Sequence, residues 1–257
     1  MEYGSLASLI FVTAASFLGS FVDAIAGGGG LISVPAYLLG GFPPHFALGT
    51  NKFSATFGSL SSTVEFFRNG KIDFHLVKFI IPCTLLGAIL GVNSVLLLDQ
   101  AFLYPLVSIM ILVVGIYSFF KKDLGLVSTY ELKSRSQIAM GMFFGFVLGF
   151  YDGFFGPGTG SFLLFIFIKF FGMDFVNAGG NTKALNFTSN VTSLVVFAVA
   201  GKINYSIGLA AGLAELLGSI IGTRVAIRRG ASFVKPIFLI MSFAVFLKML
   251  YEMVTGS

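Results

Sequence analysis

The chain repeats itself. Twenty-six residues from Gly49, GTNKFSATFGSLSSTVEFFRNGKIDF, align without a gap on GNTKALNFTSNVTSLVVFAVAGKINY, which starts 131 positions later at Gly180. Lys52 falls on Lys183, and Gly70, Lys71 and Ile72 fall on Gly201, Lys202 and Ile203. The same shift carries LLGAILG (85–91) onto LLGSIIG (216–222). Upstream, at a shift of 129, FVDAIAGGGG (21–30) lies over FYDGFFGPGT (150–159), so Asp23 meets Asp152 and Gly27 meets Gly156. Any fold for this chain has to be assembled from two copies of one unit.

Composition sets the solvent around those units. Hydrophobic residues make up 56% of the 257 residues and charged ones 11%, against roughly 25% charged in soluble domains. That leaves too little polar surface to dissolve the chain, which reads as a polytopic membrane protein with the lipid bilayer as its surroundings. Its 32 Phe and 32 Gly suit helices packed in lipid, with bulky side chains against acyl tails and small ones where backbones approach. Trp is absent, so the eight Tyr and the Lys and Arg residues are left to anchor the interfaces. The formal charge of +5 comes from basic residues scattered over several loops, a pattern of cytoplasmic loops rather than of nucleic-acid binding. Cys83 stands alone, which excludes a disulfide framework and a thiolate metal site. With Glu2 and no basic residue ahead of a long apolar stretch, the N-terminus reads as a retained helix rather than a cleaved signal.

Apolar runs predict the same order of elements in both units. The first has a helix over 5–26 that breaks at the glycines, a short helix over 31–40, and longer segments over 46–67, 74–97 and 101–120. The second has 137–154, 159–171, 175–200, 205–224 and 233–253. A crossing takes about 20 apolar residues, so the short pieces do not span. Lys121, Lys122, Lys133 and Arg135 place the linker in the cytoplasm. Counting spans outward from it puts Arg68, Lys71, Lys169, Arg224, Arg228, Arg229 and Lys235 inside and Lys202 outside. Arg135 and Lys169 share a side only if 137–171 enters and returns as a hairpin, and 5–40 then does so from outside. The expected fold is an all-α polytopic membrane protein of two inverted repeats, each a broken-helix hairpin plus three transmembrane helices. Residues 1–120 form the first repeat, 121–136 the cytoplasmic linker and 137–257 the second repeat, with both termini outside. Inverted repeats are a common plan of secondary transporters, whose sites lie near the midplane where discontinuous helices meet.

The duplicated polar motifs are the candidate site. Gly27, Gly28, Gly29 and Gly30, and in the second copy Gly156, Pro157, Gly158 and Thr159, interrupt helices, because glycine gives up helical order and proline has no N–H to donate. Irregular backbone at membrane depth survives only inside protein or beside a water-filled cavity. A helix starting just after such a turn presents free N–H groups and the positive end of its dipole, a receptor for an anion. The plain alternative is a tight hairpin with close helix packing. Lys52 beside Thr50 and Asn51, and Lys183 beside Asn181 and Thr182, add cations with amide and hydroxyl neighbours that suit oxyanion oxygens; the competing reading has both lysines snorkelling to the headgroups. Asp23 and Asp152 are costly in hydrocarbon unless paired, hydrated or protonated, so they either pair with Lys52 and Lys183 or carry protons. Glu65 and Glu215 occur in one copy only, and Glu215 lies deep enough in its segment to be a further proton relay. His45 and His75 fall on opposite sides, which argues against a histidine metal site. No cofactor is called for.

The pattern D-A-x-A-G-G-G-G-L-I-x-x-P from Asp23, the G-T-N-K block, the G-K-I motif after it and their second copies resemble the sulfite exporter TauE/SafE family, the sulfonate uptake permease superfamily. The likeness covers nearly the whole chain. It implies a small permease of the bacterial inner membrane for sulfur oxyanions or organosulfur compounds, such as sulfite, thiosulfate or sulfonates, with either import or export as its direction. The family's motif carries over to Asp23, Gly27 to Gly30, Asn51, Lys52, Asp152, Gly156, Gly158, Asn181 and Lys183. Three other classes compete. A passive anion channel needs the same dipoles and lysines without carboxylate coupling. A structural membrane scaffold leaves the repeated polar motifs without a purpose. An intramembrane aspartyl protease would use the Tyr151–Asp152 pair, but it lacks a Gly-x-Gly-Asp partner, since Asp23 precedes its glycines.

Overall fold

Side-chain caps mark where the helices begin. Ser5 accepts from the Ser8 N–H and opens α1 (Leu6–Ala26). Asp73 accepts from the His75 and Leu76 N–H groups and opens α4 (Phe74–Leu96), and Asp174 does the same through Val176 and Asn177 for α7 (Phe175–Val199); each satisfies donors that a helix start leaves orphaned. Between them run α2 (Gly30–Leu39), α3 (Pro44–Arg68), α5 (Arg135–Phe154), α6 (Thr159–Phe171) and α8 (Tyr205–Arg229). The computed structural model describes residues 5–99, 101–102, 106, 109, 128–130 and 135–229, and no strand occurs among them. Of the expected segment 101–120 only residues 101, 102, 106 and 109 are described, and the expected segment 233–253 and the linker lysines Lys121, Lys122 and Lys133 lie outside the described residues.

The eight other expected helices form, with most boundaries within two residues. The exception is α8, which runs five residues past the expected Arg224 and ends on Arg228 and Arg229, cations that suit the negative end of the helix dipole. Among the described residues, four helices are long and apolar enough to cross a membrane: α1, α4, α5 and α8. The helices α3 and α7 have 25 residues each, about 37 Å, yet fall outside that group. Length does not exclude them. Each devotes one face to buried polar residues, among them Asn51, Lys52, Ser54, Ser59 and Ser62 on α3 and Lys183, Asn186, Asn190 and Ser193 on α7, which dilutes hydropathy without exposing polarity.

The faces of α8 show which solvent the bundle is built for. Leu209, Leu213, Leu217 and Ile221 recur at every fourth position and are exposed, whereas Gly208, Ala211, Gly212, Gly218, Ser219 and Gly222 are buried. Large apolar residues outside and small ones inside is the arrangement of helices associating in lipid, where close backbone packing replaces a hydrophobic drive. The contact with α1 is tight: a Cβ on Gly218 would meet the Phe17 carbonyl oxygen at 2.3 Å, and one on Gly222 the Phe21 oxygen at 2.3 Å. The equivalent positions make the equivalent seam between α4 and α5, where Gly87 faces the Phe146 oxygen at 2.2 Å and Gly91 the Phe150 oxygen at 2.1 Å. Hydroxyls support the α3–α8 contact, with Ser62 bonded to Ser219 and Thr223, and Ser219 to the Gly58 carbonyl.

The two units exchange contacts rather than standing apart. Thr50 Oγ1 accepts from the Asn204 N–H at 2.9 Å, just before α8, and Asn181 Oδ1 accepts from the Asp73 N–H at 2.9 Å, just before α4. One residue earlier, a Cβ on Gly49 would lie 2.2 Å from the Lys202 oxygen, and one on Gly180 2.0 Å from the Lys71 oxygen. At one end of the bundle, Tyr130 donates to Asp73 Oδ2 at 2.6 Å, the Thr129 N–H donates to the Gly172 oxygen, and Arg224 pairs with Glu65 at 3.0 Å. Burial and the Asp73 carboxylate push the Tyr130 phenol above its usual range. His45, bonded to the Val95 oxygen, sits at the opposite end of α4 from the exposed His75.

Neighbouring glycines on α7 should therefore respond with opposite signs. Gly180→Ala forces a methyl into the Lys71 backbone and is expected to destabilise by about 1–3 kcal/mol. Gly179→Ala meets only the Phe66 ring, at 3.4 Å, and should gain up to about 1 kcal/mol of helix propensity. Thermal melts of the two purified variants, followed by circular dichroism because the chain has no Trp, check the contrast.

Candidate functional site

Two helix breaks meet inside the bundle. α1 ends where Gly27 (φ 70°) and Gly28 (φ 105°) take left-handed conformations that a Cβ disfavours. α5 ends at the corresponding place, with Gly156 (φ 97°) and Gly158 (φ 86°) on either side of Pro157. The breaks touch: a Cβ on Gly27 would lie 2.6 Å from the Gly160 carbonyl carbon, and one on Gly30 3.0 Å from Pro157 Cα. Ser161 Oγ donates to the Gly27 oxygen at 3.1 Å, and the Tyr151 hydroxyl closes the second turn on the Pro157 oxygen at 2.7 Å. The helices α2 and α6 therefore start side by side.

Past this junction run α3 and α7, and each brings its lysine to the other unit's aspartate. Lys52 on α3 lies 2.9 Å from Asp152 Oδ2 on α5 and donates to Asn190 Oδ1 on α7 at 3.1 Å. Lys183 on α7 pairs with Asp23 Oδ2 on α1. Both lysines and Asp152 are buried, while the Asp23 side chain keeps 28% of its surface. Neither lysine extends to the surface of the bundle; each is held inside by a crossed ion pair, which a charge in a low-dielectric interior requires.

The aspartates are used differently. Asp23 Oδ1 accepts from the Gly28 N–H at 2.9 Å and the Gly29 N–H at 3.0 Å, so these donors of the first break are not free for an anion, contrary to expectation. A carboxylate five residues before the break is close enough to turn back and cap it. Asp152 accepts from Ser189 Oγ and the Lys52 ammonium, and the second turn is closed by Tyr151 and by Thr159, whose hydroxyl donates to the Gly156 oxygen at 2.8 Å.

Around the ion pairs lies a polar cavity. Its walls come from Asp23, Gly28, Gly29 and Gly30 at the first break, from Asp152, Gly156, Gly158 and Thr159 at the second, and from Asn51 and Lys52 on α3, with Glu215 contributed by α8. Three expected residues do not line it. Gly27 is packed against Gly160 and Ser161. Lys183 approaches the cavity through Asp23. Asn181 is a structural brace, accepting from the Asp73 N–H and donating to the Asn177 oxygen and the Met173 sulfur, and its repeat equivalent Thr50 is engaged with Asn204.

The cavity also holds Asn186, Asn190, Ser59, Ser33 and Ser20, which the sequence reading passed over. A signal existed. Lys183, Asn186 and Asn190 stand at i, i+3 and i+7, one face of a helix, and the shift of the repeat maps them onto Lys52, Ala55 and Ser59. The side-chain Oδ1 atoms of Asn51 and Asn186 are buried without a partner among the described residues, so two side-chain amides on this wall have bonding capacity to spare. Among the described residues, no group of three or more His, Cys, Asp and Glu side chains is arranged to hold a metal.

Comparison with known proteins agrees with this architecture. The family model for sulfite exporter TauE/SafE matches residues 12–249. A probable membrane transporter protein of Haemophilus influenzae is 37% identical over 92% of both chains. The probable membrane transporter protein YfcA of Escherichia coli K12 is 33% identical over 96% of this chain and 90% of its own length, and YunE of Bacillus subtilis, with the same description, is 26% identical over 77% and 80%. No solved structure matches. A helical chain with four apolar spans among its described residues and a polar cavity at two helix breaks, matched over almost its whole length by this model and by the first two of these relatives, belongs to the TauE/SafE family and is a membrane transporter.

Proposed function

We propose that this chain is a secondary transporter of the bacterial inner membrane that moves a small anion of the sulfur oxyanion or organosulfonate class through the cavity at the two helix breaks. The observation that carries the reading is the crossed pairing of Lys52 with Asp152 and Lys183 with Asp23 beside that cavity. An entering oxyanion replaces part of an aspartate's bonding to Lys52, and the side-chain N–H groups of Asn51 and Asn186 supply further donors, while Asn190 already donates to Ser59. The family's name, sulfite exporter, supports the sulfur oxyanion over other small anions. A cavity lined from both units, with equivalent seams on either side, supports two inverted repeats that rock about it.

The inversion has a direct test. Asn69 and Ala200 occupy equivalent turns, 131 positions apart, and both are exposed. In a Cys83→Ser background, Asn69→Cys should react with a membrane-impermeant maleimide only from the cytoplasmic face and Ala200→Cys only from the outer face. Labelling of both from the same side overturns the inversion.

The site has its own. In proteoliposomes, uptake and counterflow of labelled sulfite, thiosulfate and taurine identify the anion, and Lys52→Met should lower its exchange about 100-fold or more, the equivalent of about 3 kcal/mol. That variant also leaves Asp152 buried without its cation, at an expected loss of about 3–5 kcal/mol of stability. Lys52→Met combined with Asp152→Leu should recover most of the stability and none of the transport. Recovery of both would reduce the pair to a structural role, and wild-type protein that moves none of the three anions overturns the substrate class.

A further inference from the structure

Glu215 lies on α8, 5% exposed, with its side chain on the cavity wall. None of the ion pairs among the described residues includes it. The charged groups near it are already committed: Asp23 on α1 to Lys183 on α7, and Lys52 on α3 to Asp152 on α5. Those two lysines and two aspartates cancel, so among the described residues the charge of the cavity is decided by Glu215. Ionised, it leaves the cavity net negative and repels an anion; protonated, it leaves the cavity neutral. Burying a carboxylate in such surroundings without a cation is expensive.

Its hydrogen bonds suit both states. Glu215 Oε1 lies 2.8 Å from Ser54 Oγ, which is also 3.0 Å from the Asn51 carbonyl oxygen and accepts from the Tyr37 hydroxyl at 3.0 Å. A serine hydroxyl has one proton and two lone pairs. Tyr37 fills one lone pair. With Glu215 ionised, the Ser54 proton points to Oε1; with Glu215 protonated, Ser54 turns its proton to the Asn51 oxygen and accepts from the glutamic acid on its second lone pair. No partner is lost in either state. Protonating Asp23 would instead weaken its bonds to Lys183, Gly28 and Gly29, and protonating Asp152 those to Lys52 and Ser189.

Resting on the reading that the cavity carries an anion, we propose that Glu215 is the group that takes up the accompanying proton, with Ser54 as its two-way hydrogen-bond partner. A proton from the aqueous phase binds the carboxylate, the anion enters the neutral cavity, and release of that proton expels it. The device belongs to one unit only, because the repeat equivalent of Glu215 is Thr84.

Infrared difference spectra of the purified protein across a pH titration, with no anion present, test the assignment independently of the substrate. Wild type should show the carbonyl stretch of a protonated carboxyl group. That band is expected to vanish in Glu215→Gln, to survive Asp23→Asn and Asp152→Asn, and to shift in Ser54→Ala, which keeps the carboxyl and removes its partner. In proteoliposomes, thiosulfate uptake by wild type should change by about tenfold per pH unit on the titrating limb, as one proton requires, and the residual uptake of Glu215→Gln should be flat. A band that persists in Glu215→Gln, or a pH slope that survives the substitution, overturns the proposal. If Glu215→Gln does not fold, an unshifted band in Ser54→Ala overturns it instead. Wild type that shows the Glu215 band but moves no sulfur oxyanion overturns the transport reading and leaves the proton assignment standing.

Discussion

Two lysines buried among apolar helices must find carboxylates, and the rest of the structure follows from where they find them. Each crossed pair joins the broken helix of one unit to the long polar helix of the other: α1 to α7 through Asp23 and Lys183, and α5 to α3 through Asp152 and Lys52. Separating the units would strand four charges in a medium that does not solvate them, which is far costlier than breaking a surface pair. The requirement therefore fixes the units face to face, brings the two helix breaks into contact and sets the cavity between them. Polar backbone released at Gly27 to Gly30 and Gly156 to Gly158 is tolerated there because carboxylate and hydroxyl groups receive it.

Close packing supplies what the ion pairs do not. The seams of α8 on α1 and of α4 on α5 use glycine against backbone carbonyls at equivalent positions, so the same sequence device is applied twice. In lipid, association gains little from burying apolar surface, and close approach of this kind is a main source of helix–helix stability. The large apolar residues that a soluble protein would bury, such as Leu209, Leu213 and Leu217, are turned outward instead.

Much of this was legible in the sequence. The duplication, the helix breaks and nearly all limits of the described helices could be read from apolar runs and Gly clusters, because those signals are local. What pairs with what was not. Sequence separation gives no hint that Asp23 reaches Lys183 rather than Lys52, since that depends on how two units dock. Asn181 reads like a binding residue near a lysine, yet the two steps around the helix that separate it from Lys183 turn its side chain to the Asp73 backbone. The Asn186 and Asn190 amides were missed for a related reason: their helical spacing from Lys183 is plain, but in a chain read by its apolar stretches an inward polar stripe looks only like a weaker span.

The equivalence of the two units stops at the cavity, and the differences there are chemical rather than geometric. Ala55 and Ser59 on α3 correspond to Asn186 and Asn190 on α7, Thr84 on α4 to Glu215 on α8, and the capping role of Asp23 has no counterpart at Asp152. Seams and caps repeat because both units must pack alike to fit one another. A binding site is under no such constraint, since a single anion can be met by amides from one side and by a titratable group from the other. Duplication thus supplies the frame and its two broken helices, while divergence at a few inward positions gives α7 the amide wall and α8 the acid. A cavity that was symmetric in chemistry as well as in frame would carry either two such acids or none, and its net charge could not be set by one proton.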